Sequence, residues 1–198
     1  MCAENIFVDE LSIEPCHKTM TMTFQKGLNY LKGQNGSGKT MLLDYVAGIR
    51  NDQKQRISGN ENIVYINQNI FFADRLTGTD FVKFVYRLDN KSREREKFFE
   101  FTEKFDIDKK VDVKTLMEKQ SGLLSGGERK YLYSMVLLSL DREWYILDEP
   151  FAYLDTEKKE ILWKVIEAFA SEGKGVILTS HEEDSRINGS DIHVINLD

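Results

Sequence analysis

The run Gly33-Gln34-Asn35-Gly36-Ser37-Gly38-Lys39-Thr40 constrains this chain more than any other stretch. A glycine, four residues, then Gly-Lys and a hydroxyl residue form the pattern of a phosphate-binding loop, which works between a strand and a helix. Both flanks comply: Leu28–Leu31 reads as an apolar strand, and Met41–Ala47 reads as the start of a helix. Gly33, Gly36 and Gly38 let the backbone curl until several N–H groups face one point. The helix N-terminus behind them carries roughly half a positive charge. Lys39 would reach the β- and γ-phosphates of a nucleotide, and the Thr40 hydroxyl would bind Mg²⁺. Gln34, Asn35, Ser37 and Met41 complete the candidate nucleotide-binding set.

The rest of the chain bounds the partners. With 198 residues, 41% hydrophobic and 30% charged, it is expected to form one soluble domain over 1–198 with ample core. A net charge of -6 argues against a broad basic face, so no direct nucleic-acid partner is expected. No apolar run approaches the ~18 residues needed to cross a bilayer. Met1–Asn5 lacks the basic start and apolar stretch of a signal peptide. Cys2 and Cys16 are the only cysteines, too few for a disulfide framework, and Cys16-His17 has no second ligand pair for a metal. A cytoplasmic chain is expected.

Read in order, Ile6–Ile13 and Met20–Phe24 cluster apolar residues as strands do, and Gln25-Lys26-Gly27 turns into the strand entering the loop. Asn51–Asn62 reads as a polar loop. Ile63–Ile66 is a short buried strand that delivers Gln68 at its carboxyl end, where open α/β sheets bind ligands. Thr77 and Asp80 have the spacing of a capping box before an apolar helical stripe, and Phe98, Phe101 and Phe105 share a helical face. Residues from about 71 to 123 therefore read as a helical insertion. Trp144–Leu147 is a third buried strand, and Pro150, with no N–H, stops its ladder. Asp155 or Thr156 caps a helix, Val176–Thr179 forms a strand delivering His181, and Ile192–Leu197 forms the last strand. The fold class expected is α/β: a P-loop NTPase core with a mixed sheet, N-terminal antiparallel strands and a helical subdomain.

The strand ends carry the chemistry. Asp148 would hold Mg²⁺, and Glu149, one position on, can act as general base toward an attacking water. Ser125 with Glu128 is a second capping box, opening the helix that runs towards Leu140. Gly126 and Gly127 exceed what a cap requires and leave N–H groups open to an anion at that helix start. One chain thus offers two phosphate-binding helix starts where a single nucleotide needs one, which suggests that they meet on different chains. His181 follows a strand expected to neighbour the nucleotide strands and is placed for the γ-phosphate.

These residues together resemble the ATP-binding domain of ABC (ATP-binding cassette) proteins over essentially the whole chain. The specific features are Leu124-Ser125-Gly126-Gly127-Glu128, which matches the family's signature, and Ile146-Leu147-Asp148-Glu149-Pro150 downstream of it. Gln68 matches the Q-loop glutamine, Ala152-Tyr153-Leu154-Asp155 the D-loop, and His181 the switch histidine. The resemblance implies a head-to-tail dimer with a second ABC ATPase subunit. Two ATP molecules would be sandwiched between one chain's phosphate loop and the other's signature. Gln68 would sense Mg²⁺ and the helical subdomain, Asp155 would work across the dimer, and Ser125 would contact the γ-phosphate in trans. It further implies a Mg²⁺-dependent ATPase held at the cytoplasmic face of a membrane by a transmembrane permease, docked on the helical segment and the Gln68 loop. A soluble regulatory ATPase acting on a protein or nucleic-acid partner is the alternative. A non-hydrolysing cassette is disfavoured by Glu149 and His181.

The pattern is broken in three places. Tyr153 stands where the D-loop usually has a small residue, and Met41 where the family commonly has a hydroxyl. The family stacks adenine on an aromatic residue between the first two strands, but no aromatic lies between Phe7 and Phe24, and the aligned region is Pro15-Cys16-His17. Base–aromatic stacking is worth ~1–3 kcal/mol, and 1.4 kcal/mol is about tenfold. ATP and GTP should therefore support turnover with kcat/KM values within roughly one order of magnitude of each other. Steady-state kinetics with both nucleotides checks this; a preference for ATP of about a thousandfold would show that another group reads the base.

Overall fold

The computed structural model describes residues 5–13, 18–50, 56–69, 71–89, 94–180, 185–189 and 191–198, and they divide into two compact units. The first comprises Met1–Gln68, Arg142–Pro150 and Ile166–Asp198. Its strands β1 (Ile6–Ile13) and β2 (Lys18–Phe24) pair antiparallel, and β4 (Ile57–Ser58), two residues inside the stretch expected to be loop, pairs on the other side of β1. A strict period of two along β1 would turn Leu11 and Ile13 outward. A bulge between Val8 and Leu11, with Glu10 at φ 47°, inserts the extra residue that returns both to the core beside Ile6 and Val8.

The second sheet has the order β5-β6-β7-β3-β8, with β3 (Gly27–Lys32), β5 (Ile63–Ile66), β6 (Trp144–Asp148), β7 (Gly175–Thr179) and β8 (Ile192–Asn196). Every pairing in it is parallel, so parallel and antiparallel strands separate into two sheets. The central strands β6 and β7 are buried along their whole length, as strands covered on both faces must be. That burial is what lets Trp-Tyr-Ile-Leu and Val-Ile-Leu runs appear without alternation. Helix α1 (Lys39–Val46) packs Leu42, Leu43 and Val46 into the same core as Ile146 and Ile177. The parallel register sets the carboxyl ends of β3, β5, β6 and β7 along one edge.

The second unit comprises Asn69–Asp141 and Phe151–Val165. Helix α2 (Gly78–Leu88) opens on the expected capping box: Thr77 Oγ1 accepts from Asp80 N, and the Asp80 carboxylate accepts from Thr77 N at 2.9 Å. Its apolar face buries Phe81, Val82, Val85 and Tyr86, and Phe81 meets Tyr133 of α5 (Gly126–Leu138) with ring centroids 4.2 Å apart. Gly78 is a packing glycine, since an added Cβ would lie 2.6 Å from Leu132 and 2.8 Å from the Met117 Cα. Along α3 (Glu94–Phe105), Phe98 and Phe105 are buried and Phe101 is half-buried. Helix α4 (Val113–Glu118) is capped by Asp112, whose carboxylate accepts from Thr115 N. Helix α6 (Thr156–Ser171) starts at Asp155, which accepts from Lys158 N at 3.0 Å. Among the described residues no helix is long and apolar enough to cross a membrane.

In the first unit, Gly175 marks where β7 crosses closest to a large side chain. A Cβ there would lie 2.1 Å from a Trp144 ring carbon, and Trp144 is 1% exposed. Gly175→Ala should therefore destabilise the fold by about 1–3 kcal/mol, the usual range for overpacking a filled core. For a chain of this size that lowers Tm by roughly 2–4 °C per kcal/mol. A thermal melt matching the unsubstituted protein would show that Trp144 can yield.

Candidate functional site

In the first unit, the loop between β3 and α1 adopts the curl that its glycines permit. Gly36 and Gly38 have φ 83° and 98°, and Gly38 is the N-cap of α1. Those angles favour glycine because it lacks a Cβ. Lys39 is buried, and its ammonium donates to the carbonyls of Gly33 (2.6 Å) and Gln34 (3.0 Å). Asn35, Gly36, Gly38, Lys39, Thr40, Met41, Gln68 and Glu149 line one cleft of about 410 Å³. Ser37, in the same loop, has a buried hydroxyl with no hydrogen-bond partner among the described residues. The Gln34 N–H donates to the Asp198 carboxylate at 2.7 Å.

The acidic pair sits at the end of β6. Asp148 is 1% exposed, and its two oxygens accept from different elements: Thr40 Oγ1 of α1 at 2.8 Å and Thr179 Oγ1 of β7 at 2.7 Å. Thr179 in turn accepts from Glu149 N at 2.9 Å. Glu149 holds φ 50°, the left-handed region, where a non-glycine residue typically costs about 1–3 kcal/mol and tends to mark function. Gln68 Nε2 donates to Glu149 Oε2 at 2.8 Å, tying the second residue past β5 to the end of β6. Nearby, Tyr65 donates to Asp44 at 3.2 Å; burial first, then the Asp148 and Asp44 charges, push its phenol far above the ordinary range. Thus Lys39, Thr40, Gln68, Asp148 and Glu149, which span more than a hundred positions of the chain, stand together. Thr179 belongs with them, and nothing in its sequence context marks it: a threonine ending a β-branched strand looks like any other strand residue.

The Thr40 and Asp148 oxygens can share a small hard cation. No cluster of three or more His, Cys, Asp or Glu occurs among the described residues. A hydroxyl with a single carboxylate fits Mg²⁺, which takes the remainder of its octahedron from water and substrate phosphates. The donor set therefore fits a magnesium nucleotide.

In the second unit, Ser125 caps α5: its hydroxyl accepts from Glu128 N at 3.1 Å, and Glu128 accepts from Ser125 N at 2.8 Å. That backbone hydrogen bond, against the effect of burial, holds the Glu128 carboxyl below its usual range, aided by the Ser125 hydroxyl and by Lys119 at 3.4 Å. The two glycines differ. A Cβ on Gly127 would run into the Tyr153 carbonyl, so this glycine is required by packing within the chain and is not surplus to the cap. A Cβ on Gly126 would meet nothing within 4 Å. Asp155 accepts from Lys158, whose side chain holds the carboxyl below its ordinary range. A larger hollow of about 550 Å³ in this unit is lined by Thr102 and Asp106 among others, but their polar atoms bond Phe99 O and the Lys110 and Val111 N–H groups. The remaining candidates, His181 and the Pro15-Cys16-His17 segment, lie outside the described residues.

The ABC transporter family model matches residues 17–152. The cytochrome c biogenesis ATP-binding export protein CcmA of Haemophilus influenzae is 28% identical over 91% of this chain and 87% of its own length. A Clostridium tetani relative is 29% identical over 77% of this chain, which spans only 36% of that protein's length. Among solved structures, a dimeric bacterial ABC transporter cassette superposes with a TM-score of 0.77 at 15% identity, covering 97% of this chain and 94% of its own. With the phosphate loop, the Asp-Glu strand end and the capped Ser-Gly-Gly helix start all in place, the chain belongs to the ABC transporter family and is one of its ATP-binding cassettes.

Proposed function

We propose that this chain is the ATP-hydrolysing subunit of a transporter, acting with a second cassette and a separate transmembrane permease. The observation that carries the reading is the convergence of Lys39, Thr40, Asp148, Glu149 and Gln68 on one sheet edge. An ammonium has three donors and Lys39 places two on loop carbonyls, leaving capacity for a phosphate oxygen. Thr40 and Asp148, with Gln68 beside them, would hold Mg²⁺; when bound, it neutralises charge on the phosphoryl group. Glu149 takes the proton of the attacking water, and the amide of Gln68 orients its carboxylate. His181 is assigned to the γ-phosphate.

Ser125, Gly126, Gly127, Glu128 and Asp155 are assigned to the nucleotide of a second chain. The open space at Gly126 supports this, since nothing in its own unit explains a glycine there. A solved bacterial cassette with the same fold is dimeric. For coupling to a permease, the second unit offers Phe71, Phe84 and Leu88, which are 81%, 51% and 70% exposed. The Haemophilus relative is named for export. The chain would lie peripherally on the cytoplasmic face of the membrane, held there by its permease.

Glu149→Gln keeps the shape and hydrogen bonding but removes the base. ATP should still bind, turnover should fall at least about a hundredfold, and a closed dimer should persist. Steady-state ATPase near the unsubstituted rate would sink the general-base assignment.

The trans arrangement has its own test. Lys39→Ala disables the phosphate loop, and Ser125→Arg obstructs the signature. Each variant alone should be nearly inactive, because every composite site contains one damaged half. Mixed, about half the dimers are heterodimers with one intact site, so activity should recover to at most roughly a quarter of normal. Heterodimers isolated with two affinity tags and showing no single-turnover hydrolysis would place both elements within one chain.

A further inference from the structure

Strands β3 and β8 run parallel and end together at the phosphate loop, with Lys32 opposite Asn196. Beyond them the two segments stay in contact. Leu197 is buried and donates its N–H to the Lys32 carbonyl at 2.9 Å, and a Cβ on Gly33 would lie 3.3 Å from the Leu197 Cβ. The Asp198 carboxylate then accepts the Gln34 N–H at 2.7 Å. That N–H belongs to the same peptide unit as the Gly33 carbonyl, and the peptide is trans, so the two groups point in opposite directions. On the far side the Gly33 carbonyl accepts from the Lys39 ammonium at 2.6 Å. One peptide is thus held between a carboxylate and an ammonium. The Gln34 carbonyl, on the next peptide, accepts from the Ser37 N–H at 3.1 Å and from Lys39 at 3.0 Å. Asp198 is itself steadied: its N–H donates to Asn196 Oδ1 at 3.2 Å, and Lys18 donates to the Leu197 carbonyl of the same peptide.

We propose that Asp198 is a positioning residue for the Lys39 ammonium, acting through the Gly33–Gln34 peptide. A carboxylate on the N–H polarises the peptide and makes its carbonyl a better acceptor, because hydrogen bonds in series strengthen one another. It also fixes the peptide plane, so that the Gly33 and Gln34 carbonyls hold two of the ammonium's three donors. The third is left for the cleft that Lys39 lines and Asp198 does not. The sign of the effect separates this role from that of a simple charge. A negative charge acting through space beside an anion site repels a nucleotide, so removing it tightens binding. A carboxylate that orients the lysine does the reverse, and removing it loosens binding. This role rests on the reading of Lys39 as the phosphate ligand, proposed above.

The test is equilibrium binding of Mg·ADP, which leaves no hydrolysis to correct for, to the full chain. Dissociation constants are measured by competition against a fluorescent nucleotide for the parent, Asp198→Ala, Asp198→Asn, Lys39→Ala and the double variant Asp198→Ala/Lys39→Ala. Asp198→Ala should weaken binding about fivefold, the worth of one net hydrogen bond. Asp198→Asn keeps an acceptor for the Gln34 N–H and should stay within about twofold of the parent, since a neutral acceptor bonds roughly half as strongly as a charged one. In the Lys39→Ala background, Asp198→Ala should add no further loss, because the peptide then has no ammonium to hold. If Lys39→Ala weakens binding and Asp198→Ala matches the parent or binds more tightly, the positioning role is overturned and the phosphate-ligand reading stands. Losses that add in full in the double variant would show Asp198 acting independently of Lys39, which also overturns the positioning role. A Lys39→Ala chain that binds as tightly as the parent would overturn the phosphate-ligand reading, and the role of Asp198 with it.

Discussion

The Asp148 carboxylate is the joint on which the site depends. A carboxylate removed from water needs hydrogen-bond donors to offset its lost hydration. Here one oxygen takes the Thr40 hydroxyl from the start of α1, and the other takes the Thr179 hydroxyl from the end of β7. The same threonine then receives the Glu149 N–H, so the candidate metal ligand and the candidate base are oriented by one side chain. Because each partner comes from a different element, the geometry exists only when β6 is flanked in register by β7 and packed under α1. The parallel sheet supplies that register: Asp148 pairs with Thr179 as Leu147 pairs with Leu178.

Local strain accumulates just past that joint. Two non-glycine residues in the left-handed region, Glu149 and Tyr153, lie within five positions of each other in the chain. Each is held by surroundings that over-determine it: Thr179 and Gln68 for Glu149, and the Gly127 contact and the buried Phe151 and Leu154 for Tyr153. A chain that violates local preference twice in one loop, between a fully buried strand and a well-capped helix, concentrates its compromises where chemistry and association are proposed.

The two units show different kinds of pattern. In the first, buried parallel strands are near-continuous apolar runs, and polar groups enter only at their carboxyl ends. In the second, amphipathic helices carry explicit start signals, with reciprocal capping boxes at Thr77 and Ser125. The Ser125 box serves a local purpose, satisfying the Ser125 and Glu128 N–H groups at the start of α5. It does not explain Gly126, and the open space there supports the case for an approaching partner.

Much of this was written in short-range order and so was legible without coordinates. The loop from Gly33 to Thr40, the strands at Ile63 and Trp144, and the caps at Thr77, Ser125 and Asp155 all follow from spacing, because caps, turns and strand runs are set by residues within a few positions of each other. That Thr40 and Asp148 serve one metal, and that Gln68 stands at a ligand-binding strand end, followed from the motifs, but their contacts with each other and with Glu149 needed the sheet order to become geometry. Three things were decided by tertiary structure alone. Thr179 became a site residue because β7 lies next to β6, which no local pattern around it records. Gly127 proved to be a packing glycine because the backbone of Tyr153, distant in sequence, closes on it. Leu11 and Ile13 returned to the core through a bulge that only pairing with β2 reveals. Local chemistry determined which elements form and where they begin. Long-range packing determined which side chains meet, because contact between distant residues depends on register and sheet order, and neither is encoded within any one segment.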